Sequence, residues 1–131
     1  MKKEFDELLT VRYPEIFVDR HSTVDKSPMA WGFSCGDGWF TILDNLCSII
    51  KFHLEQYPDV PKVRAAQVKE KFGNLRFYYD GGDEFIRGLV QMAEAMSATT
   101  CDRCGSVGTT GGKGWILTRC GNCQEKPEGE E

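Results

Sequence analysis

The segment CDRCGSVGTTGGKGWILTRCGNC, residues 101–123, holds four of the chain's six cysteines as two Cys-x2-Cys pairs separated by 15 residues. No other feature restricts the fold as strongly. Two cysteines with two residues between them can wrap a tight turn that aims both sulfurs at one ion, and zinc takes four such ligands at tetrahedral corners. Cys101, Cys104, Cys120 and Cys123 are therefore read as the ligands of one structural zinc ion. Gly105 follows the first pair and Gly121 lies inside the second, where the chain must curl under the sulfurs. Arg103 and Arg119 stand close enough in sequence to offset thiolate charge. Between the pairs, Gly111–Gly114 reads as a turn and Trp115–Thr118 as a short strand. This predicts a zinc-ribbon or treble-clef-like module over residues 99–124. The alternative is four unliganded thiols or two disulfides. Four cysteines fill the coordination shell, whereas catalytic zinc keeps an open position, so the ion is expected to hold the fold together rather than to react.

The start of the chain, MKKEFDELLT, lacks the apolar core of a secretory leader, and no run approaches 18 apolar residues. The expected setting is a reducing cytoplasm without a membrane span, where paired cysteines more often bind metal than oxidise. The 131 residues suggest a core domain over 1–98, the zinc module over 99–124 and an acidic tail over 125–131. Charge is uneven: residues 1–59 carry −4, residues 60–119 carry +3 and residues 120–131 carry −3. A polyanion-binding surface therefore belongs in the middle of the chain.

The periodicity predicts an α+β fold, with a β-hairpin or small antiparallel sheet packed on two main helices. Phe5, Leu8, Leu9 and Arg12 mark a short helix ended by Pro14. Residues 19–38 read as a long loop with a short strand at Met29–Ser34. Asp37 is the expected cap of a core helix on which Trp39, Leu43, Leu46, Ile50, Leu54 and Tyr57 recur at helical spacing, widened by Ile42 and Ile49. Pro58 and Pro61 stop it. Val63–Lys71 and Leu75–Tyr79 read as strands joined at Gly73-Asn74, with Ala66, Val68, Leu75, Phe77 and Tyr79 facing inward. Asp83 caps a further helix whose expected face is Phe85, Leu89, Met92 and Met96, with Ile86, Val90 and Ala93 beside it.

The hairpin is also the second functional candidate. Lys62, Arg64, Lys69, Lys71 and Arg76 stand against Glu70 alone, interleaved with Phe72, Phe77, Tyr78 and Tyr79. Cations for phosphate beside rings for stacking suit a nucleic-acid or nucleotide surface, although the same alternation fits an ordinary half-buried hairpin with a wet outer face. Arg64, Lys69, Lys71, Arg76 and Tyr78 are the candidate ligand contacts, with the loop at 29–38 beside them.

Other motifs fail. Around Gly112-Lys113 the P-loop pattern breaks at Val107 and Gly114, and GDGWFT at 36–41 ends in Thr41 rather than the third glycine of a dinucleotide fingerprint. Asp59 with Gln67 and Lys69 has the outline of a metal-assisted nuclease, but the spacing is short and no second acidic ligand is evident. Cys35 and Cys47 lie outside the paired pattern and read as small buried hydrophobes.

RYPEIF, CGDGWFTILDNLC, QVKEKFGNLRFYYDGGD, MAEAMSATTCDRCG and GWILTRCGNC together span nearly the whole chain. They resemble a family of small uncharacterised proteins of tailed bacteriophages and prophages, KEKFGxLRFY being the most specific piece. The resemblance implies an accessory protein made in the bacterial host cytoplasm and brings no reaction or catalytic residue. The leading expectation is a non-catalytic zinc protein that binds a host protein, a nucleic acid or a nucleotide signal, with inhibition of a host defence as one outcome. A metal-dependent nuclease and a virion assembly protein are the alternatives.

Overall fold

The fold was taken from a computed structural model, which describes residues 1–124. The acidic tail assigned to 125–131 lies outside the described residues. The elements run α1 (Lys3–Arg12), β1 (Phe33–Ser34), α2 (Phe40–Gln56), β2 (Arg64–Lys71), β3 (Asn74–Asp80), α3 (Glu84–Ser97), β4 (Thr109–Gly111), β5 (Leu117–Arg119) and a helical turn, α4 (Gly121–Gln124). The α+β class expected from periodicity holds.

α2 forms where apolar residues recur every third or fourth position, and it buries Ile42, Leu43, Leu46, Cys47 and Ile50. Asp37 does not cap it. A 3-10 turn, Asp37–Trp39, precedes the helix, and the Asp37 carboxylate instead accepts the Lys2 amide at 2.6 Å. Trp39 is fully buried, and its indole N–H donates to the Thr100 carbonyl at 2.8 Å. Tyr57 and Ile49 lie outside the core, exposed by 58% and 43%.

α3 is capped by Asp83, which accepts the Ile86 amide at 3.0 Å. Its buried face is Ile86, Val90, Ala93 and Ser97. Of the predicted face, Ile86, Val90 and Ala93 are buried and Leu89 is partly so, but Phe85, Met92 and Met96 turn outward, half or more exposed. Both stripes are apolar and lie side by side on one helix, so periodicity alone does not choose between them. The sheet chooses, because Ser97 and Glu94 on the inner side bond the edge of β3. Ser97 Oγ accepts the Leu75 amide and Glu94 Oε2 accepts the Phe77 amide, both at 2.9 Å.

The main sheet has the order β1-β2-β3, with β1 parallel and β3 antiparallel to β2. The two-residue strand β1 is what remains of the strand expected at Met29–Ser34, since Pro28–Trp31 forms a 3-10 turn capped by Ser27. Asp19 and Arg20, at the start of the long loop, pair with Arg64 and with Asp6 and fasten that loop to β2 and α1. Ala65, rather than Ala66, faces the core with Val68, because a bulge between Ala65 and Gln67 shifts the alternation by one. Lys71 pairs with Asn74, so the hairpin loop is Phe72-Gly73 and not Gly73-Asn74. Both loop residues have positive φ, 54° and 83°, as a type I′ turn requires.

The core gathers Leu9, Phe17, Met29, Trp39, Leu43, Ile50, Val68, Leu75 and Ile86, all at most 2% exposed. It draws on α1, the long loop, α2, the sheet and α3, and it leaves one sheet face outside.

Candidate metal centre and the cationic sheet face

After α3, Thr99 and Thr100 lead into a tight turn. The Gly105 amide donates to the Cys101 carbonyl at 2.9 Å and the Cys101 amide to the Ser106 carbonyl at 2.7 Å. Gly105 takes φ +84°, the left-handed conformation that a knuckle needs after its second cysteine. β4 and β5 then form an antiparallel hairpin, Thr109 opposite Arg119 and Gly111 opposite Leu117. The second pair lies where that hairpin meets α4: the Cys123 and Gln124 amides both donate to the Cys120 carbonyl. The order of knuckle, hairpin and helical turn is treble-clef-like.

The four sulfurs lie within 4.8 Å of one another, and Cys104 and Cys120 are 3.6 Å apart. Sulfurs at tetrahedral corners about 2.3 Å from a zinc ion are separated by about 3.8 Å, whereas a disulfide needs about 2.05 Å. All six cysteines are free thiols. The geometry is thus that of a closed site that could hold a metal ion. Cys101 and Cys123 are buried, Cys120 is half-buried and Cys104 is exposed, so one edge of the cluster meets solvent. Hydrogen bonds from Ser106 hold the Cys104 thiol below its ordinary pKa, while burial pushes Cys123 up to about 12. A bound cation displaces such protons.

Arg119 is buried and donates to Asp102 at 2.9 Å, both side chains being 8% exposed. This positions Asp102, whose amide donates to the Thr118 carbonyl at 2.9 Å, and so locks the first knuckle onto β5. The knuckle also rests on the core. The Gly38 amide donates to the Asp102 carbonyl at 2.9 Å, and Thr118 Oγ1 donates to the Gly73 carbonyl at the hairpin tip. In the sequence, GDG looks like a loop entering a helix; the structure places it as the seat of the cysteine knuckle.

The remaining candidate residues lie on the outer face of the main sheet, with one exception in role. Lys69 and Arg76 are directly opposite each other, as are Lys71 and Asn74, and Gln67 and Tyr78. Tyr78 is 43% exposed. Arg64 shares this side but makes a bidentate pair with the buried Asp19 carboxylate, both bonds at 2.6 Å. That pairing, chiefly through the hydrogen bond, holds Asp19 below and Arg64 above their ordinary pKa. Sequence reasoning gave no sign of the Asp19 partner, which lies 45 residues away. The ion pairs among the described residues do not include Lys69, Lys71 or Arg76. Phe72, at the tip beside this face, is 66% exposed with Lys71 Nζ 5.8 Å from its ring centroid.

Asp59 is exposed in the turn after α2. Among the described residues, the four cysteines are the cluster of His, Cys, Asp or Glu side chains arranged to hold an ion, and Asp59 belongs to no such cluster. Cys47 is fully buried and Cys35 is 8% exposed; burial, then nearby carboxylates, pushes the Cys35 thiol up to about 12. No described helix is long and apolar enough to cross a membrane.

Comparison with protein-family models, curated proteins and solved structures gave no match.

Proposed function

We propose that this chain is a non-catalytic, zinc-stabilised binding protein of the bacteriophage accessory type, working in the bacterial cytoplasm and engaging nucleic acid through the outer face of its main sheet. Zinc is the ion that a closed set of four thiolates favours. The observation that carries the binding assignment is the direct cross-strand opposition of Lys69 and Arg76. Like charges facing each other on a sheet destabilise it by a few tenths to about 1 kcal/mol, a cost that a bound polyanion removes. Lys71 extends the charge, and Tyr78 and Phe72 supply exposed rings of the kind on which single-stranded bases stack. Phe72 also keeps a left-handed backbone, φ 54°, that disfavours an aromatic residue. Strain retained at an exposed position supports a role for that side chain in recognition.

The test is fluorescence anisotropy with a labelled single-stranded DNA oligonucleotide across a salt series. Three phosphate contacts give a slope of log K against log salt of about −2. A Lys69→Ala/Arg76→Ala double variant is expected to lose most of the affinity while keeping its metal. A flat salt response removes nucleic acid as the ligand, and unchanged binding in the double variant removes this sheet face as its site.

A further inference from the structure

The outward stripe of α3 does not stand alone. α2 and α3 pack as antiparallel neighbours: His53 stacks on Phe85 with ring centroids 4.3 Å apart at one end, and Ile42 and Met96 line one cleft at the other. Helical spacing then puts Ile49 and Phe52 of α2 beside Phe85, Leu89, Met92 and Met96 of α3 on one exposed surface. Five of these six are large hydrophobics exposed by 43% to 63%, and Leu89 is partly buried. Scattered apolar side chains on a surface need no explanation, but a contiguous strip along two helices does.

The flanking positions narrow the choice of occupant. On α2 they are Thr41, Asn45, Ser48 and Gln56; on α3 they are Gly88, Gln91 and Ala95. None of these is charged, in a chain where 27% of residues are; the acidic neighbours Glu55 and Glu84 lie together at the Phe52–Phe85 end of the strip, away from its middle. A two-fold interface sets each residue near its axis against its own copy, so a charge there would meet a like charge. This face can be placed against itself without that penalty, whereas the cationic sheet face cannot. The size also fits. A 14-residue helix is about 21 Å long, and two neighbouring helices span about 20 Å, a projected area on the order of 400 Å² per copy. Side chains standing above that plane raise the accessible area, which brings the total for two copies to roughly the 1,000 Å² at which a specific interface begins.

We infer that the α2–α3 face is a homodimer interface, closed by a second copy of this chain around a two-fold axis to form a four-helix contact. It is a modest interface, so association depends on concentration. The inference is independent of the ligand assigned to the sheet face.

Sedimentation equilibrium of the metal-loaded protein tests it. The expected result is a concentration-dependent rise from the 14.8 kDa chain mass to about twice that value. Phe52→Glu and Met92→Glu, both at exposed positions, are expected to abolish the twofold mass with far-UV circular dichroism and metal content unchanged. Val11→Glu, at a residue 77% exposed on α1, is expected to leave dimerisation intact. A wild-type mass that stays at one chain up to the solubility limit overturns the inference. So does a dimer that survives both Glu variants, or a monomer that instead takes up an apolar helical peptide on this face.

Discussion

Gly38 lies against Cys101 so closely that a Cβ built on it would stand 2.0 Å from the Cys101 carbonyl oxygen. Two positions earlier, a Cβ on Gly36 would stand 1.9 Å from the Asp102 carbonyl oxygen. Backbone thus meets backbone where the entrance to α2 supports the first cysteine pair. No side chain fits in that space, and the contacted atoms cannot swing aside as a flexible side chain can.

Gly36 has an ordinary φ of −78°, so alanine there brings a clash without backbone strain. We expect Gly36→Ala to cost about 3 kcal/mol or more in chemical denaturation, at the severe end for single substitutions. Gly88→Ala is the contrast. Its Cβ meets nothing within 4 Å on an exposed helix, and in dilute protein it should raise stability by about 0.5–1 kcal/mol.

The same contact would couple a bound metal to the core. Chelation by EDTA should not simply release residues 99–124 from an otherwise intact fold. Trp39, buried in the core, donates to Thr100, and loss of the knuckle removes the seat of that bond. The expected outcome is one transition, with Trp fluorescence and far-UV signal lost together and recovered on adding Zn²⁺. Two separated transitions would show that the module folds on its own.

Asp102 and Arg119 form a buried pair, and removing the carboxylate takes that charged hydrogen bond from the guanidinium. Asp102→Ala should destabilise by about 1–3 kcal/mol. Asp102→Ala/Arg119→Met should recover much of that loss, because both buried charges are then gone. A double variant no better than the single one would move the cost from charge to packing.

Asp19 and Asp83 are both held below the ordinary carboxylate pKa, Asp19 by its hydrogen bond to Arg64 and Asp83 by its hydrogen bond to His53. A depressed folded-state pKa contributes stability that is fully present above the unfolded value of about 3.9 and is lost as pH falls through the folded value. Denaturation midpoints should therefore drop steeply in that acid window. Asp19→Asn should flatten the drop and lower stability at neutral pH. A wild-type acid profile in that variant would count against the pair.

Relieving the Lys69–Arg76 opposition should separate stability from binding. Arg76→Glu gives Lys69 an opposite charge across the strand, and it should stabilise the fold by about 0.5 kcal/mol. The same change should abolish oligonucleotide binding. Loss of both properties together would mean that Arg76 is a packing residue.

The sequence foretold the cysteine cluster because ligand spacing is local chemistry, and it foretold α2 because one apolar stripe dominates that helix. It placed α3 and its Asp83 cap but centred the buried face too far round, because Phe85, Met92 and Met96 are bulkier than Ile86, Val90 and Ala93, yet the smaller stripe leads to the hydroxyl of Ser97 that bonds β3. Ala65 replaced Ala66 through a bulge that no composition signal marks. The Asp19–Arg64 pair and the seat of the knuckle on Gly36 and Gly38 are long-range contacts, which one-dimensional patterns do not record. Of the candidate contacts, alternation gave the face of Lys69 and Arg76, but only the register showed them directly opposed.

Glu94 and Ser97 have a consequence beyond holding α3 in place. By taking the outward amides of Leu75 and Phe77 they close the free side of β3 to strand addition. An extended segment from another molecule finds those two donors already occupied, so templated fibril growth from that margin is blocked. Removing the Glu94 carboxylate and the Ser97 hydroxyl would leave both amides unpaired beneath α3, so this guard against fibril templating is lost wherever the helix frays.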